Sequence, residues 1–211
     1  MIYEDRWYQS ECKDAWIKDI FAENCNPIVA VPTGGGKTVI LGMTIQEYLT
    51  KYPDNKVLVL SHTSLILEQD LAALEEFFPD KYIGMHSAGL HAREVEQITV
   101  AGIQSVYRNP KLFMWYNLII VDEVHAVGHK SEGMYRTFFK DSMAVIAGMS
   151  ATIFRSGHGY IHQGPGVLFN KLSYDLTSMH KFNRLVDEGY LCNLISKEPE
   201  TQLDSSLVKK S

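Results

Sequence analysis

Pro27-Ile28-Val29-Ala30-Val31-Pro32-Thr33-Gly34-Gly35-Gly36-Lys37-Thr38 is the stretch that decides the fold. Its first five residues read as a buried strand, ended by Pro32 and three successive glycines. From Lys37 to about Tyr52 the pattern is helical. A strand that turns through glycines into a helix start suits an anion, because the glycine backbone can curl its N–H groups inward and the helix terminus adds partial positive charge. For a nucleoside triphosphate such as ATP, Thr33, Gly34, Gly35 and Gly36 would line the phosphates. Lys37 would reach the β- and γ-phosphates, and the Thr38 hydroxyl would hold Mg2+. The strict phosphate-loop pattern asks for glycine where Val31 stands. A plain glycine turn before Lys-Thr is the competing reading, and the strand–loop–helix setting argues against it.

Outward from this loop, short apolar runs alternate with amphipathic stretches. Tyr8–Phe21 predicts a helix with Ala15, Trp16, Ile20 and Phe21 on its apolar side, where Trp7 and Tyr8 read as packing residues. Lys56–Leu60, Tyr82–His86, Gln97–Ala101, Asn117–Val121 and Ala144–Met149 predict strands. Ser64–Phe77 predicts a helix with Leu65, Leu67, Leu71 and Leu74 at helical spacing, and Met179–Glu188 another, capped by Gly189. Arg155–Pro165, rich in glycine and histidine, reads as a loop. This order implies an α/β fold, a doubly wound, mostly parallel sheet with helices on both faces.

Composition narrows the classes. A chain of 211 residues, 45% hydrophobic and 21% charged, is globular rather than disordered or fibrous. No apolar run approaches the ~20 residues of a membrane span, and the N-terminus has no basic region followed by an apolar stretch. Cys12, Cys25 and Cys192 are odd in number and far apart, which argues against disulfides or zinc and suits a reducing, intracellular compartment such as the cytoplasm. A net charge of −5 disfavours a purely electrostatic nucleic-acid binder, although not a local basic groove. Lys81, Arg93, Arg108 and Lys111 read as scattered solvated charges. His86, His91, His129, His158 and His162 do not form a metal-binding pattern, since only His158 and His162 have i,i+4 spacing and they fall in the glycine-rich loop.

Asp122-Glu123-Val124-His125 follows the strand Leu118–Val121. In a parallel sheet the carboxyl ends of the strands are where ligands sit, and the phosphate loop leaves from that same edge. One carboxylate there can hold the water shell of Mg2+, and a second can polarise an attacking water. Asp122 takes the metal role in this reading and Glu123 the water. A solvated acidic turn is the alternative, weakened by the phosphate loop at the same edge.

Taken together, Pro-Thr-Gly-Gly-Gly-Lys-Thr, Asp-Glu-Val-His and the later Ser150-Ala151-Thr152 resemble superfamily-two helicases of the DEAD/DEAH class. The resemblance covers residues 1–193 as the first RecA-like motor domain, with 194–211 as a linker or tail. It implies that Gln9 in Arg6-Trp7-Tyr8-Gln9 hydrogen-bonds adenine, with Arg6 at the same nucleotide site. It implies that His62 and Thr63, then Gln104 and Ser105, touch a nucleic-acid backbone. His125 would link the acidic pair to Ser150 or Thr152. Leu185-Val186-Asp187-Glu188-Gly189-Tyr190-Leu191 resembles the segment closing the first motor domain in the DNA-repair and restriction-translocase branch, which tilts the expected partner towards DNA over RNA. Gly102 stands where that branch often has threonine, and Ile153 where proline is usual, while Arg155 fits.

The residues after Asn193 are too few for the family's second RecA-like domain, so the chain is expected to be a half-motor or an excised piece that binds ATP weakly and hydrolyses it slowly. A non-motor nucleotide switch or assembly module is the alternative, disfavoured by Ser-Ala-Thr and Gln-Ser. A kinase would need an acceptor pocket and an arginine-rich lid, and the sequence suggests neither.

Overall fold

The computed structural model describes residues 6–127, 133–155 and 159–192. Its strands, in chain order, are β1 (Pro27–Ala30), β2 (Val57–Ser61), β3 (Ile83–Ser87), β4 (Ala92–Arg93), β5 (Ile98–Gly102), β6 (Leu118–Asp122), β7 (Val145–Ser150), β8 (Phe154–Arg155), β9 (Gly159–Tyr160) and β10 (Lys171–Asp175). The α-helices are α1 (Trp7–Ile20), α2 (Lys37–Lys51), α3 (Ser64–Phe77), α4 (Ile103–Val106), α5 (Met134–Phe139) and α6 (Met179–Asp187).

Eight strands form one sheet in the order β10-β1-β7-β6-β2-β5-β3-β4, parallel throughout except for the β3–β4 pair. Continuous apolar runs in parallel strands mean burial on both faces, with successive side chains sent to opposite sides. Val57, Val59, Leu118 and Ile120 pack with Trp16, Ile40, Ile45, Leu74 and Leu185 from α1, α2, α3 and α6. Leu58, Leu60, Ile119 and Val121 pack with Val106, Phe113, Tyr135 and Phe138 on the α4–α5 side. Helices therefore cover both faces, the doubly wound arrangement that the apolar runs imply.

Several details differ from the sequence-based expectation. Lys171–Asp175 is an unforeseen edge strand, paired parallel to β1; it carries no apolar run because an edge strand is only partly covered. Within the expected loop at Arg155–Pro165, Gly159–Tyr160 pairs antiparallel with Phe154–Arg155. Met134–Phe139 is helical, its Tyr135, Phe138 and Phe139 filling the second core. On α3, Leu65 is exposed, and the buried stripe is Leu67, Asp70 and Leu74. The expected tail at 194–211, together with His129 and His158, lies outside the described residues. Among the described residues no helix is long and apolar enough to cross a membrane.

Candidate nucleotide site

The carboxyl ends of β1, β7 and β6 lie side by side. Ala30 is in register with Ser150, and Asp122 with Met149. Past β1 the chain still follows the sheet, with the Val31 N–H donating to the Ser150 carbonyl at 3.0 Å, and then turns through the glycines. Gly34 and Gly36 have φ of +80° and +78°, the left-handed region that β-carbon-bearing residues avoid. Gly36 is also the cap of α2, and the Gln9 amide occupies the place where a β-carbon at 36 would stand. Gln9 comes from α1 and is buried, so the first helix is packed directly against the loop. Leu191 lies against Gly34 from the other end of the chain.

Around this loop the N- and C-terminal segments close on each other. The Trp7 indole N–H donates to Glu188 at 2.6 Å, the Arg184 guanidinium lies 3.6 Å from the Trp7 ring centre, and Tyr8 meets Tyr190 edge-on. Arg6 donates to the Tyr8 hydroxyl at 3.1 Å and its guanidinium lies 5.2 Å from the centre of the Tyr190 ring. Tyr8 is fully buried, as expected of a packing residue.

Across the loop the Lys37 ammonium pairs directly with Glu123. Glu123 sits at φ +54°, ψ +56°, a left-handed conformation that costs on the order of 1–3 kcal/mol outside glycine. That bend turns the chain out of β6 into a short 3-10 turn at Val124–Ala126, so that Asp122 and Glu123 do not simply alternate across a strand. Arg155 holds the turn by donating to the carbonyls of Val124 and His125. The second Glu123 oxygen accepts from the Ser150 hydroxyl at 3.2 Å and lies 3.0 Å from His125 Nδ1. His125 Nδ1 is also 3.1 Å from Ser150 Oγ, and the Thr152 N–H donates to that same oxygen at 3.2 Å. Glu123, His125 and Ser150 thus form a closed triangle that Thr152 joins through its backbone, its side chain remaining exposed.

The carboxylates respond differently to these surroundings. Burial opposes ionisation of Glu123, but the hydrogen bond and charge of Lys37, with His125 and Ser150, outweigh it and hold the acid below its usual range. Asp122 is pushed up by burial, only partly offset by Lys37. Asp70, unremarked in the sequence, lies within the same site. It is 5% exposed, and burial followed by the charge of Asp122 pushes it up to about 8. An acid on the stripe between Leu67 and Leu74 was the signal that could have found it.

Lys37, Thr38, Gln69, Asp70, Asp122 and Glu123 line one cavity of about 120 Å3. Among the described residues, Oδ1 of Asp122 and Oδ2 of Asp70 are buried and find no hydrogen-bond partner. Carboxylate and hydroxyl oxygens are hard donors suited to Mg2+, so the residues present fit that ion. Among the described residues no three His, Cys, Asp or Glu side chains close directly on a metal position.

The other expected contact residues sit along the same sheet edge. The His62 ring meets His125 edge-on at 6.3 Å, and the Gln104 amide donates to the His62 carbonyl at 2.9 Å. Thr63 caps α3 by accepting from the Ile66 N–H at 3.4 Å. Ser105 is buried, its hydroxyl accepting from the Ala88 N–H at 2.8 Å. His62, Gln104 and His125 are therefore brought together, whereas Ser105 faces inward.

A parallel sheet carrying a glycine loop, a lysine and an acidic pair at one edge defines the class, a phosphate-loop nucleotide-binding domain of RecA-like fold. The chain belongs to the family described as type III restriction enzyme, res subunit, whose model matches residues 2–155. It is 28% identical over 98% of its length to the Saccharomyces cerevisiae protein named "Putative ATP-dependent helicase IRC3" and spans 30% of that protein. Over 53% of the chain it is 22% identical to human activating signal cointegrator 1 complex subunit 3, spanning 6% of it. Solved structures share the fold. The UvsW helicase of bacteriophage T4 gives a TM-score of 0.61 at 17% identity, covering 81% of this chain and 60% of that one. The Hef helicase domain of Pyrococcus furiosus gives 0.59 at 21%, covering 85% and 40%. The type ISP restriction-modification enzyme LlaGI, solved with a DNA substrate mimic, gives 0.63 at 16%, covering 87% and 21%. The chain thus belongs to that family and shares its fold with solved helicase domains.

Proposed function

We propose that residues 1–193 are the first motor domain of an intracellular ATP-driven translocase or helicase acting on nucleic acid, DNA in preference to RNA. The observation that carries this reading is the single edge on which Lys37, Thr38, Asp122 and Glu123 border one cavity and Glu123 continues through Ser150 and His125 towards His62 and Gln104. The chain spans less than two thirds of the relatives and structures above, which supports a second RecA-like domain as its partner in the working protein.

In this reading the loop N–H groups of Gly34–Thr38 bind the phosphates and Lys37 leaves Glu123 to neutralise the γ-phosphate. Gln9, beside Gly36, and Arg6, beside Tyr190, serve the base side. Mg2+, when bound, would neutralise phosphate charge, with Thr38 and Asp122 as the residues that hold it. Glu123, kept ionised, orients the attacking water and accepts its proton. Ser150 and His125 sense that carboxylate and pass its state to the loops bearing His62, Thr63, Gln104 and Ser105.

The test is ATP turnover by the 211-residue chain with Mg2+, with and without single- or double-stranded DNA or RNA, beside Lys37→Ala. ATP binding that Lys37→Ala loses, with slow turnover, supports the reading. A chain that binds no ATP at all would sink it, and nucleotide binding that leaves nucleic-acid affinity unchanged would favour a non-motor switch.

A further inference from the structure

Asp70 is the part of the site that the loop and the acidic pair leave unexplained. It stands on the buried stripe of α3 between Leu67 and Leu74, where an aliphatic side chain would pack at no electrostatic cost. A buried carboxyl oxygen lacking a partner is unfavourable, yet among the described residues Oδ2 of Asp70 has none. Lys37, which borders the same cavity, is already committed to Glu123. What Asp70 does border is the 120 Å3 cavity, which it shares with Thr38 and with Asp122, whose Oδ1 is likewise buried and unpartnered. At ~30 Å3 per water that space holds a few water molecules, and Mg2+ keeps several waters and binds through one or two carboxylates plus phosphate oxygens.

We propose that Asp70 is a second carboxylate anchor of the hydrated divalent cation, holding metal-bound water from the α3 side while Asp122 does so from β6. The proposal rests on the nucleotide–metal reading of the Thr38–Asp122 site and deepens it. Asp70 is a positioning residue: it acts through water on the cation and touches neither the γ-phosphate nor the nucleophile. Because α3 begins directly after His62 and Thr63, such an anchor also ties metal occupancy to the helix that carries this loop.

Mn2+ is the probe, with free ion read by electron paramagnetic resonance on the 211-residue chain in the presence of ADP. ADP affinity in EDTA is measured in parallel. Asp70→Asn is expected to weaken ADP-dependent Mn2+ retention about tenfold, the effect of losing an outer-shell partner, with ADP affinity in EDTA unchanged. Should Asp70→Asn fail to show a cooperative thermal transition, Asp70→Ser is read in the same way. Retention unchanged in the Asp70 variant but lost in Asp122→Asn would overturn the proposal and leave the nucleotide–metal reading standing. No ADP-dependent retention in the unsubstituted chain, or none lost in Asp122→Asn, would overturn both.

Discussion

Lys37, at the start of α2, and Glu123, just past the end of β6, share a direct ion pair across the glycine loop. The two are far apart in sequence and meet because β1 and β6 flank β7 in the sheet. Both are partly shielded from solvent, so the pair is stronger than an exposed one, and it keeps Glu123 ionised. In the proposed reading the groups assigned to phosphate and to water therefore compete for each other, and an incoming nucleotide would have to separate them.

Substitution of the two partners should consequently have unlike effects. Lys37→Ala is expected to weaken ADP binding at least tenfold, through loss of a charge-assisted contact worth ~1.5–3 kcal/mol. Glu123→Gln removes the competitor for the ammonium, so ADP affinity should be equal or tighter while ATP turnover falls a hundredfold or more. Fluorescent-ADP titration and phosphate release would check both. A Glu123→Gln chain that binds ADP as poorly as Lys37→Ala would show that the ion pair organises the loop rather than competing with nucleotide.

Gly36→Ala meets two obstacles, a φ of +78° and the Gln9 amide. The first costs ~1–2 kcal/mol for any β-carbon, and the second depends on whether Gln9 can move. Gly36→Ala should lower the denaturation midpoint and abolish nucleotide binding. The double variant Gly36→Ala with Gln9→Ala should recover part of the stability, since the clash is relieved and the dihedral strain is not. Equal stability of the single and double variants would mean that Gln9 yields freely.

Strands β1, β2 and β6 and the phosphate loop are legible because each rests on a local signal, a continuous apolar run for the strands and glycines before Lys37 for the loop. The acidic pair was legible as residues but not as geometry, because the left-handed bend at Glu123 is imposed by the packing of the 3-10 turn beneath Arg155. Edge strand β10 escaped because Lys171-Leu172-Ser173-Tyr174-Asp175 carries no apolar run; it is specified by pairing with β1. Asp70 escaped for the opposite reason, a polar residue on a stripe read only for its leucines. Leu65 shares the helical spacing of the α3 leucines yet is exposed, because periodicity alone does not say which side of a helix meets the sheet.

Ser150 offers a way to cut the link from the site to the sheet edge without touching phosphate contacts. Its hydroxyl is fully buried, donates to Glu123 and accepts from the Thr152 N–H. Ser150→Ala should cost ~1–2 kcal/mol of stability and leave ADP affinity within a few-fold. The difference in single-strand affinity between ADP-bound and ATP-analogue-bound chain should shrink towards none, as fluorescence anisotropy would report. Full retention of that difference would remove Ser150 from the coupling path.

Asp70 also makes a statement about stability. Without a divalent cation its carboxyl is pushed up to about 8 by burial and by Asp122, so the cation-free folded chain holds a proton that the unfolded chain, with an ordinary aspartate near 4, has already lost. Between those values folding takes up a proton, and the stability that Asp70 contributes is fully present below about pH 4 and drains away as pH rises towards 8, at up to ~1.4 kcal/mol per pH unit. Asp70→Asn has no such proton. Urea midpoints measured from pH 5 to 8 should therefore diverge, the variant gaining on the unsubstituted chain as pH rises. Parallel midpoints over that range would show that Asp70 is ionised when folded, and that some partner compensates its charge.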